Sequence, residues 1–273
     1  MFCDLELAAR IERAECRLVA DACANVAWRI ADVLVAPIGA GLAAFVEPNS
    51  PLDKVVGLGF GEFDEAAFVA FEQAMAERGA AVQVELATLA DPSVGKWLTG
   101  RGYALVGVEN VLGRGLPLAD ARASAGEIAI ADSGADEFES WLGVMVDGFL
   151  APDVQGLPSH EQFEREVMES TMRDFTSARG VVRYLARSAN HPIGAAAMRS
   201  FEGVAQLCGA ATLPEHRRRG VQSSLLERRL IDAGRQGCTV AVVTTSPGSK
   251  SQQNVQRQGF ALLYARNILR REP

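Results

Sequence analysis

Apolar residues recur at helical spacing over the first stretch of the chain, residues 4–26. They share one face, and Asp4 is placed to cap the first turn. Three short apolar stretches follow over residues 32–37, 41–47 and 54–60, and a turn-forming Pro48-Asn49-Ser50-Pro51 segment separates the last two. The pattern therefore predicts one helix and then three strands.

The remainder of the first half alternates between the two periodicities. Helices are predicted over residues 64–78 and 91–101, and each ends at a glycine. A strand is predicted over residues 82–86 and a pair of strands over residues 103–112.

The end of the chain repeats this order, with a helix over residues 221–235, a strand over 239–244, a helix ending at Gln258 and a strand over 260–269. The local sequence repeats too. Gly102-Tyr103-Ala104-Leu105 matches Gly259-Phe260-Ala261-Leu262, and Asn110-Val111-Leu112 matches Asn267-Ile268-Leu269, both at an offset of 157. Pro37-Ile38-Gly39-Ala40 matches Pro192-Ile193-Gly194-Ala195 at an offset of 155. Three matches in order predict two copies of one unit.

The predicted fold class is α/β, with a mixed sheet in each unit. Strands arrive in runs as well as between helices, which favours a mixed, mostly antiparallel sheet flanked by helices over a parallel Rossmann sheet. We expect a first domain over residues 1–115, a linker over 116–126 that is rich in Gly, Pro and Ala, and a second domain over 127–273.

Composition excludes several classes of protein. The 273 residues are 48% hydrophobic and 22% charged, which is typical of a globular protein rather than a disordered or fibrous one. No apolar run is long enough to span a membrane, and acidic residues interrupt the N-terminus where a signal peptide would be basic and then apolar. The five cysteines include no CxxC pair, which predicts a protein of the reducing cytoplasm. The three histidines are isolated from one another, so no metal site is predicted.

Charge is distributed unevenly along the chain. Residues 1–115 and 116–205 each sum to −7, whereas residues 206–273 sum to +7, which gives the overall −7. A basic final quarter would suit an anionic ligand, although a solvated helix face explains it equally well. Net negative charge, and arginines without neighbouring aromatic residues, disfavour nucleic acid as a partner.

A candidate anion site lies inside this basic quarter. A predicted strand over residues 204–212 leads through a short loop into the helix that begins after Gly220. A helix start presents unpaired backbone N–H groups, and no acidic side chain occupies the first turn here. Three arginines, Arg217, Arg218 and Arg219, add positive charge, so the segment predicts binding of a phosphate-bearing ligand.

The corresponding segment of the first copy differs. Its glycine-rich stretch, residues 57–61, is followed by the acidic residues Glu62, Asp64 and Glu65. These carboxylates would cap the next helix and repel an anion, so the first copy is predicted to be structural.

The second copy resembles the GNAT superfamily of N-acetyltransferases. Arg217-Arg218-Arg219-Gly220-Val221-Gln222 matches the Q/R-x-x-G-x-G/A motif between strand and helix, except that Gln222 replaces the last small residue. Gly259-Phe260, about 40 residues later, also stands where family members have it. The resemblance covers residues 127–269 well and 30–115 weakly, as in a tandem GNAT arrangement with a degenerate N-terminal copy.

The resemblance implies acetyl-CoA, or another acyl-CoA, as cosubstrate. Its pyrophosphate would lie on the backbone N–H groups of Arg217, Arg218, Arg219, Gly220, Val221, Gln222 and Ser223. The pantetheine arm would pair with the strand edge at Ala211, Thr212 and Leu213, and Asn254 would be a further hydrogen-bond partner.

Catalytic residues are less well defined by the resemblance. Val255 stands where many relatives carry a tyrosine acid, so Tyr264 is the substitute candidate, although a half-buried strand aromatic is the alternative. Gln206 stands where a base is common and would orient water or substrate; Thr212 would polarise the thioester carbonyl through its backbone N–H. Thr244 and Thr245 could line the acyl site.

The resemblance implies that the helical region of residues 138–175 selects the acceptor. Its acidic flanks would favour a cationic amine, although an acidic solvated face is the alternative explanation. A small-molecule amine is the first hypothesis, and a protein amine is the second. We expect a monomer or homodimer. The alternative function is a catalytically silent acyl-CoA sensor or protein-interaction module.

Overall fold

A computed structural model describes residues 1–27, 30–118, 128–152, 155 and 164–273 of the chain. The predicted linker, 116–126, lies largely outside the described residues. The helices of the described part are α1 (Leu5–Val26), α2 (Glu65–Glu77), α3 (Pro92–Gly100), α4 (Phe138–Leu150), α5 (Arg165–Ser177), α6 (Val221–Arg235) and α7 (Lys250–Arg257).

Twelve strands belong to the same described residues. They are β1 (Leu34–Ile38), β2 (Gly41–Phe45), β3 (Lys54–Val56), β4 (Val82–Ala87), β5 (Ala104–Gly115), β6 (Ala129–Asp132), β7 (Val181–Ser188), β8 (His191–Phe201), β9 (Val204–Gln206), β10 (Ala210–Thr212), β11 (Val240–Thr245) and β12 (Ala261–Arg271). The predicted mixed α/β fold is confirmed.

The chain divides into two compact units. Of the described residues, the first unit contains 2–27, 30–111 and 262–273, and the second unit contains the stretches from 112 to 155 and from 164 to 261, with Met1. The predicted boundary gave residues 262–273 to the second domain, whereas these contacts group them with the first unit. These residues group with the first unit because β12 pairs antiparallel with β4, with Arg266 opposite Ala87 and Arg271 opposite Val82.

The first unit has the strand order β1-β2-β3-β4-β12-β5. Only β3 and β4 are parallel among the pairs described, and α1 packs against β2 and β3. Strand β3 is shorter than predicted because the chain turns after Val56, where Gly57 and Gly59 both have positive φ. Residues 104–115 form one long strand rather than the predicted pair.

The second unit has the strand order β11-β9-β8-β7-β6, and β10 also pairs with β8. Strands β9 and β11 are parallel, and the other described pairs are antiparallel. One core lies beneath α6 and α7, and it includes Leu225 and Val255. A second core lies beneath α4, and it includes Trp141 and Met145. Helices therefore cover both faces of this sheet.

Candidate functional site

A β-bulge interrupts the predicted single strand of residues 204–212 and divides it into β9 and β10. Strand β8 pairs Arg199 with Gln206 and Ala196 with Ala210. Two residues of β8 therefore face three residues of the partner, residues 207–209. The backbone N–H of Ala197 donates to the carbonyl of Gly209 at 3.2 Å across this bulge.

Strands β10 and β11 separate beyond the bulge. The parallel pairing of β9 with β11 reaches Gln206 and Val242, and the N–H of Leu207 donates to the carbonyl of Val242 at 2.9 Å. In the described structure β10 pairs only with β8, so a gap opens between β10 and the end of β11.

The register of β10 decides which backbone groups face this gap. The N–H of Leu213 donates to the carbonyl of Ile193 at 3.1 Å. Hydrogen-bonded and non-bonded pairs alternate in an antiparallel ladder, so Ala211 also faces β8, opposite Ala195. The N–H and C=O groups of Ala210 and Thr212 point to the other side. Of the three residues predicted to pair with a pantetheine arm, only Thr212 therefore presents its backbone N–H to the gap.

A buried arginine supports the bulge. Arg229 of α6 is 2% exposed, and its Nη1 donates to the carbonyls of Ala197 and Gly209, both at 3.2 Å. Burial lowers the pKa of this guanidinium to about 10, which leaves it charged at neutral pH. Its position on the apolar face of α6, four residues after Leu225, was the sequence feature that could have identified it.

The start of α6 is open to an anion. Gly220 is the N-cap residue with φ of 85°, and no side chain caps the first turn, which contains no acidic residue. The first N–H groups of the helix have no partner within it, and the N–H of Ser224 is the first to bond back, to Gly220 at 3.0 Å. A Cβ placed on Gly220 would meet nothing within 4 Å, so the space above the turn is free.

The three arginines of the motif differ in their contacts and exposure. Arg217 is tied to the protein, since its guanidinium donates to the carbonyls of Thr212 at 3.3 Å, of Gly148 at 3.4 Å and of Ala151. Arg218 and Arg219 are exposed, and neither forms an ion pair with a described residue. Arg218 and Arg219 are thus the side chains available to a phosphate.

A cavity of about 570 Å³ lies beside this helix start. It includes Gly220 and Ser223 of the predicted loop, and Glu227 places one carboxylate at its wall. The full lining comprises Ile128, Ser188, Ile193, His216, Arg219, Gly220, Ser223, Ser224, Glu227 and Gln258. The remaining predicted contacts, Val221, Gln222 and Asn254, lie on α6 and α7 of the same unit, with Val221 buried and the other two half-buried.

Three buried polar atoms near the gap have no hydrogen-bond partner among the described residues. They are Oγ1 of Thr212, Nδ1 of His216 and Oγ1 of Thr245. Buried polar groups are normally paired, so orphaned atoms at a cleft are typical of a site whose ligand supplies the partner.

The side-chain amide of Gln206 is hydrogen-bonded within the protein. Its side chain is 5% exposed, and its Oε1 accepts a hydrogen bond from Nη1 of Arg199 at 3.2 Å. The amide thus stabilises a buried guanidinium, which leaves the predicted role in orienting water without support from the geometry.

Tyr264 belongs to the first unit, whereas the phosphate loop belongs to the second. Tyr264 lies on β12, is 4% exposed, and donates its hydroxyl to the Glu12 carboxylate at 2.6 Å. Burial and the adjacent Glu12 raise the pKa of the hydroxyl well above its ordinary value. The pairing of β12 with β4 explains this location, and we do not retain Tyr264 as an acid.

The equivalent loop of the first unit is closed. Asp64 accepts a hydrogen bond from the N–H of Ala67 at 2.9 Å, and Glu65 lies in the first turn of α2. The carbonyl of Glu62 lies 2.0 Å from where a Cβ on Gly39 would be, so the loop packs directly on the β1–β2 turn. The predicted self-capping of this helix is confirmed.

A bilayer-crossing segment is not found among the described helices, all of which are too short or too polar for that role. The described residues also contain no group of three His, Cys, Asp or Glu side chains suited to a metal ion.

Comparisons with known proteins find similarity to one family of enzymes. Residues 151–260 match the model of the acetyltransferase (GNAT) family. A GCN5-related N-acetyltransferase from Kribbella flavida is 18% identical, with a TM-score of 0.70 over 98% of this chain and 96% of that chain. A second GCN5-related N-acetyltransferase, from Sphaerobacter thermophilus, is 18% identical, with a TM-score of 0.54 over 76% of this chain and 67% of that chain.

A tandem GNAT protein from the clavulanic acid biosynthesis pathway is 12% identical, with a TM-score of 0.61 over 86% of this chain and 79% of that chain. No curated protein matches the chain. Residues 151–260 thus match the acetyltransferase (GNAT) family model, and the two-unit fold is similar to that of a tandem GNAT protein.

Proposed function

We propose that the second unit is an acyl-CoA-dependent N-acetyltransferase that moves an acetyl group to a primary amine. The observation that carries the proposal is the open, uncapped start of α6 at Gly220, with Arg218 and Arg219 free beside it. Backbone N–H groups, the positive end of a helix dipole and two cations together favour a pyrophosphate.

The residues present fit this cosubstrate. The first-turn N–H groups of α6 would hold the phosphates, and the gap between β10 and β11 would admit the pantetheine arm. Oγ1 of Thr212 and Oγ1 of Thr245 are buried without partners in the described structure, so they would gain hydrogen bonds from a polar ligand.

Acyl-CoA, when bound, supplies a thioester that an amine can attack directly. The C–N bond forms as the C–S bond breaks, the ammonium proton passes to a base or water, and the leaving thiolate takes up a proton. The N–H of Thr212 faces the gap and can donate to the thioester oxygen, where negative charge develops. The pairing of β10 with β8 positions this donor before the reaction begins.

Two carboxylates on the helices beside the second core are paired with arginines and do not select the acceptor. Asp147 pairs with Arg165 at 2.6 Å, and Glu139 pairs with Arg173 at 2.7 Å, so these carboxylates are already neutralised. Part of the predicted acceptor region, residues 153–154 and 156–163, lies outside the described residues. We keep a small-molecule primary amine as the proposed acceptor and treat a protein amine as an outcome of the assay.

A catalytically silent acyl-CoA sensor is the second candidate function. Val255 is 4% exposed in the core beneath α6 and α7 and offers no proton, and Gln206 is bonded to Arg199. Binding without turnover on any amine would favour this candidate.

Calorimetric titration with acetyl-CoA, followed by thiol release against a panel of amines, tests the proposal. Gly220→Val should weaken acetyl-CoA binding at least tenfold, because the branched side chain covers the phosphate site and strains a positive φ. Gly237→Val is the matched control, since Gly237 also has a positive φ of 78° with no atom within 4 Å, but follows the end of α6. Equal affinity in both variants would contradict the assignment.

A further inference from the structure

Phe149 and Leu150 form an exposed apolar pair at the C-terminal end of α4. Their side chains are 37% and 39% exposed, and within the described stretches 112–155 and 164–261 they are the large hydrophobic side chains that are exposed. Single apolar residues are normal on a protein surface, whereas adjacent ones beside a candidate site are typical of a ligand contact. The position of this pair relative to the reacting groups therefore decides its meaning.

The same end of α4 packs directly on β10. A Cβ placed on Gly148 would lie 2.5 Å from Cβ of Ala211 and 3.4 Å from the backbone nitrogen of Thr212. A larger side chain at this position would displace the strand. Phe149 is the next residue, and its ring lies 3.5 Å from a Cβ placed on Gly209, within the bulge. The exposed ring thus lies beside the N–H that polarises the thioester in the proposed function.

Helices α4 and α6 cover opposite faces of the second unit's sheet. The core beneath α4 includes Ala195 and Ala197, and the core beneath α6 includes Ala196, whose side chain points to the other face. In the proposed function the phosphates lie at the start of α6. An amine that attacks the thioester must then approach from the side that the cosubstrate leaves open, which is the face with α4.

The charged groups at this end of α4 disfavour a second positive charge on the acceptor. The last carbonyls of a helix attract cations, but Arg217 already donates to the carbonyl of Gly148 at 3.4 Å and to that of Ala151. The carboxylate of Asp147 is paired with Arg165 at 2.6 Å. Apolar contact is therefore the main attraction that this surface offers to an acceptor.

We infer that the acceptor is a primary amine that carries an aromatic or branched aliphatic group, and that this group packs on Phe149 and Leu150. The inference rests on the proposed function, and it differs from the polycationic acceptor that acidic flanks would favour. Contact with the two side chains removes apolar surface from water and so favours binding. Because the same contact exists before and during the attack, it should lower KM rather than raise kcat.

Steady-state acetylation of three amines by the full chain tests the inference. The amines are 3-phenylpropylamine, propylamine and 1,4-diaminobutane, all with acetyl-CoA as donor. The wild-type kcat/KM should be about tenfold higher for 3-phenylpropylamine than for either of the others, mainly through KM. Phe149→Ala should lower this preference about five- to tenfold, and Phe149→Leu, which keeps an apolar side chain, should lower it less than about threefold. The ratio does not depend on the fraction of folded enzyme, because all amines are measured on one preparation.

Phe138→Ala is the matched control for the loss of an aromatic ring. Phe138 is the first residue of the same helix, about three turns away from Phe149. Its ring lies against the guanidinium groups of Arg173 and Arg183, at 5.3 and 4.8 Å. This variant should have a lower melting temperature but the preference of the wild type.

The outcomes separate the inference from the proposed function. Wild-type protein that acetylates none of the amines overturns the proposed function and this inference with it. Wild-type protein that acetylates propylamine or 1,4-diaminobutane as efficiently as 3-phenylpropylamine overturns the inference alone. A preference that Phe149→Ala leaves unchanged, or that Phe138→Ala lowers equally, also overturns it, since neither pattern places the apolar group on Phe149.

Discussion

A buried polar side chain is either satisfied within the protein or left without a partner among the described residues, and examples of both occur here. In the first unit, Asp53 accepts hydrogen bonds from the N–H groups of Val46 at 2.7 Å and Ser50 at 3.2 Å, which hold the turn before β3. In the second unit, Thr212 and Thr245 have hydroxyls that no described residue satisfies. The first arrangement stabilises a fold, and the second is typical of a binding site.

The Asp53 turn makes stability depend on pH. Burial raises the pKa of this carboxyl to about 7, against an ordinary value near 4. A raised folded-state pKa means that stability is greatest below the unfolded pKa and is lost as pH rises through the folded one. We expect the free energy of unfolding to fall between about pH 4 and pH 7, by at most about 4 kcal/mol from this group. Urea unfolding across this range measures it, and Asp53→Asn should flatten the slope; an unchanged slope would refute the assignment.

Helices α2 and α6 show how one element can close or open the same kind of site. Both follow a strand and a glycine-containing loop, but Asp64 caps α2 and Glu65 adds negative charge to its first turn. The first turn of α6 contains no acidic residue and no side-chain cap. This difference is local, so the sequence alone predicted it correctly.

A carboxylate introduced into the first turn of α6 should make this helix start unfavourable for an anion, as the acidic residues of α2 do. Ser223 is exposed and third in the helix, and Ser223→Asp should weaken CoA binding about tenfold while raising the melting temperature slightly. Ser223→Asn controls for size without charge and should bind CoA nearly as the wild type does. Calorimetry at low and high salt measures both, and an equal loss in the two variants would show that charge is not the cause.

Across the whole molecule, the basic final quarter turns out to serve several purposes. Arg217 and Arg229 donate to backbone carbonyls, Arg228 pairs with Asp232 at 2.6 Å, and Arg266 lies in the first unit. Only part of the charge is therefore available to an anion. The sequence left two explanations of the basic quarter open, an anionic ligand or a solvated helix face, because it could not show which cations were buried or paired.

Arg266 joins the two ends of the chain within the first unit. Its guanidinium is 2% exposed and contacts Glu12 of α1 at 2.9 Å and Glu85 of β4 at 3.4 Å. Arg266→Met leaves buried carboxylates without this cation, so we expect a loss of about 3–5 kcal/mol in the free energy of unfolding.

Arg270→Met is the control on the same strand, because Arg270 pairs with Glu272 at the surface, and it should cost less than about 0.5 kcal/mol. Denaturant unfolding measures the free energy of unfolding of both variants, and hydrogen exchange of the β4 amides measures the local effect. Similar losses in the two would contradict the central role of Arg266.

The sequence by itself determined the repeat, the mixed α/β fold and the open helix start at Gly220, because each depends on local periodicity, capping and backbone conformation. Tertiary structure decided the rest. It placed Tyr264 beside Glu12, because β12 pairs with β4 rather than staying with its own copy. It also formed the bulge held by Arg229, since such contacts join residues distant in sequence that no local pattern specifies.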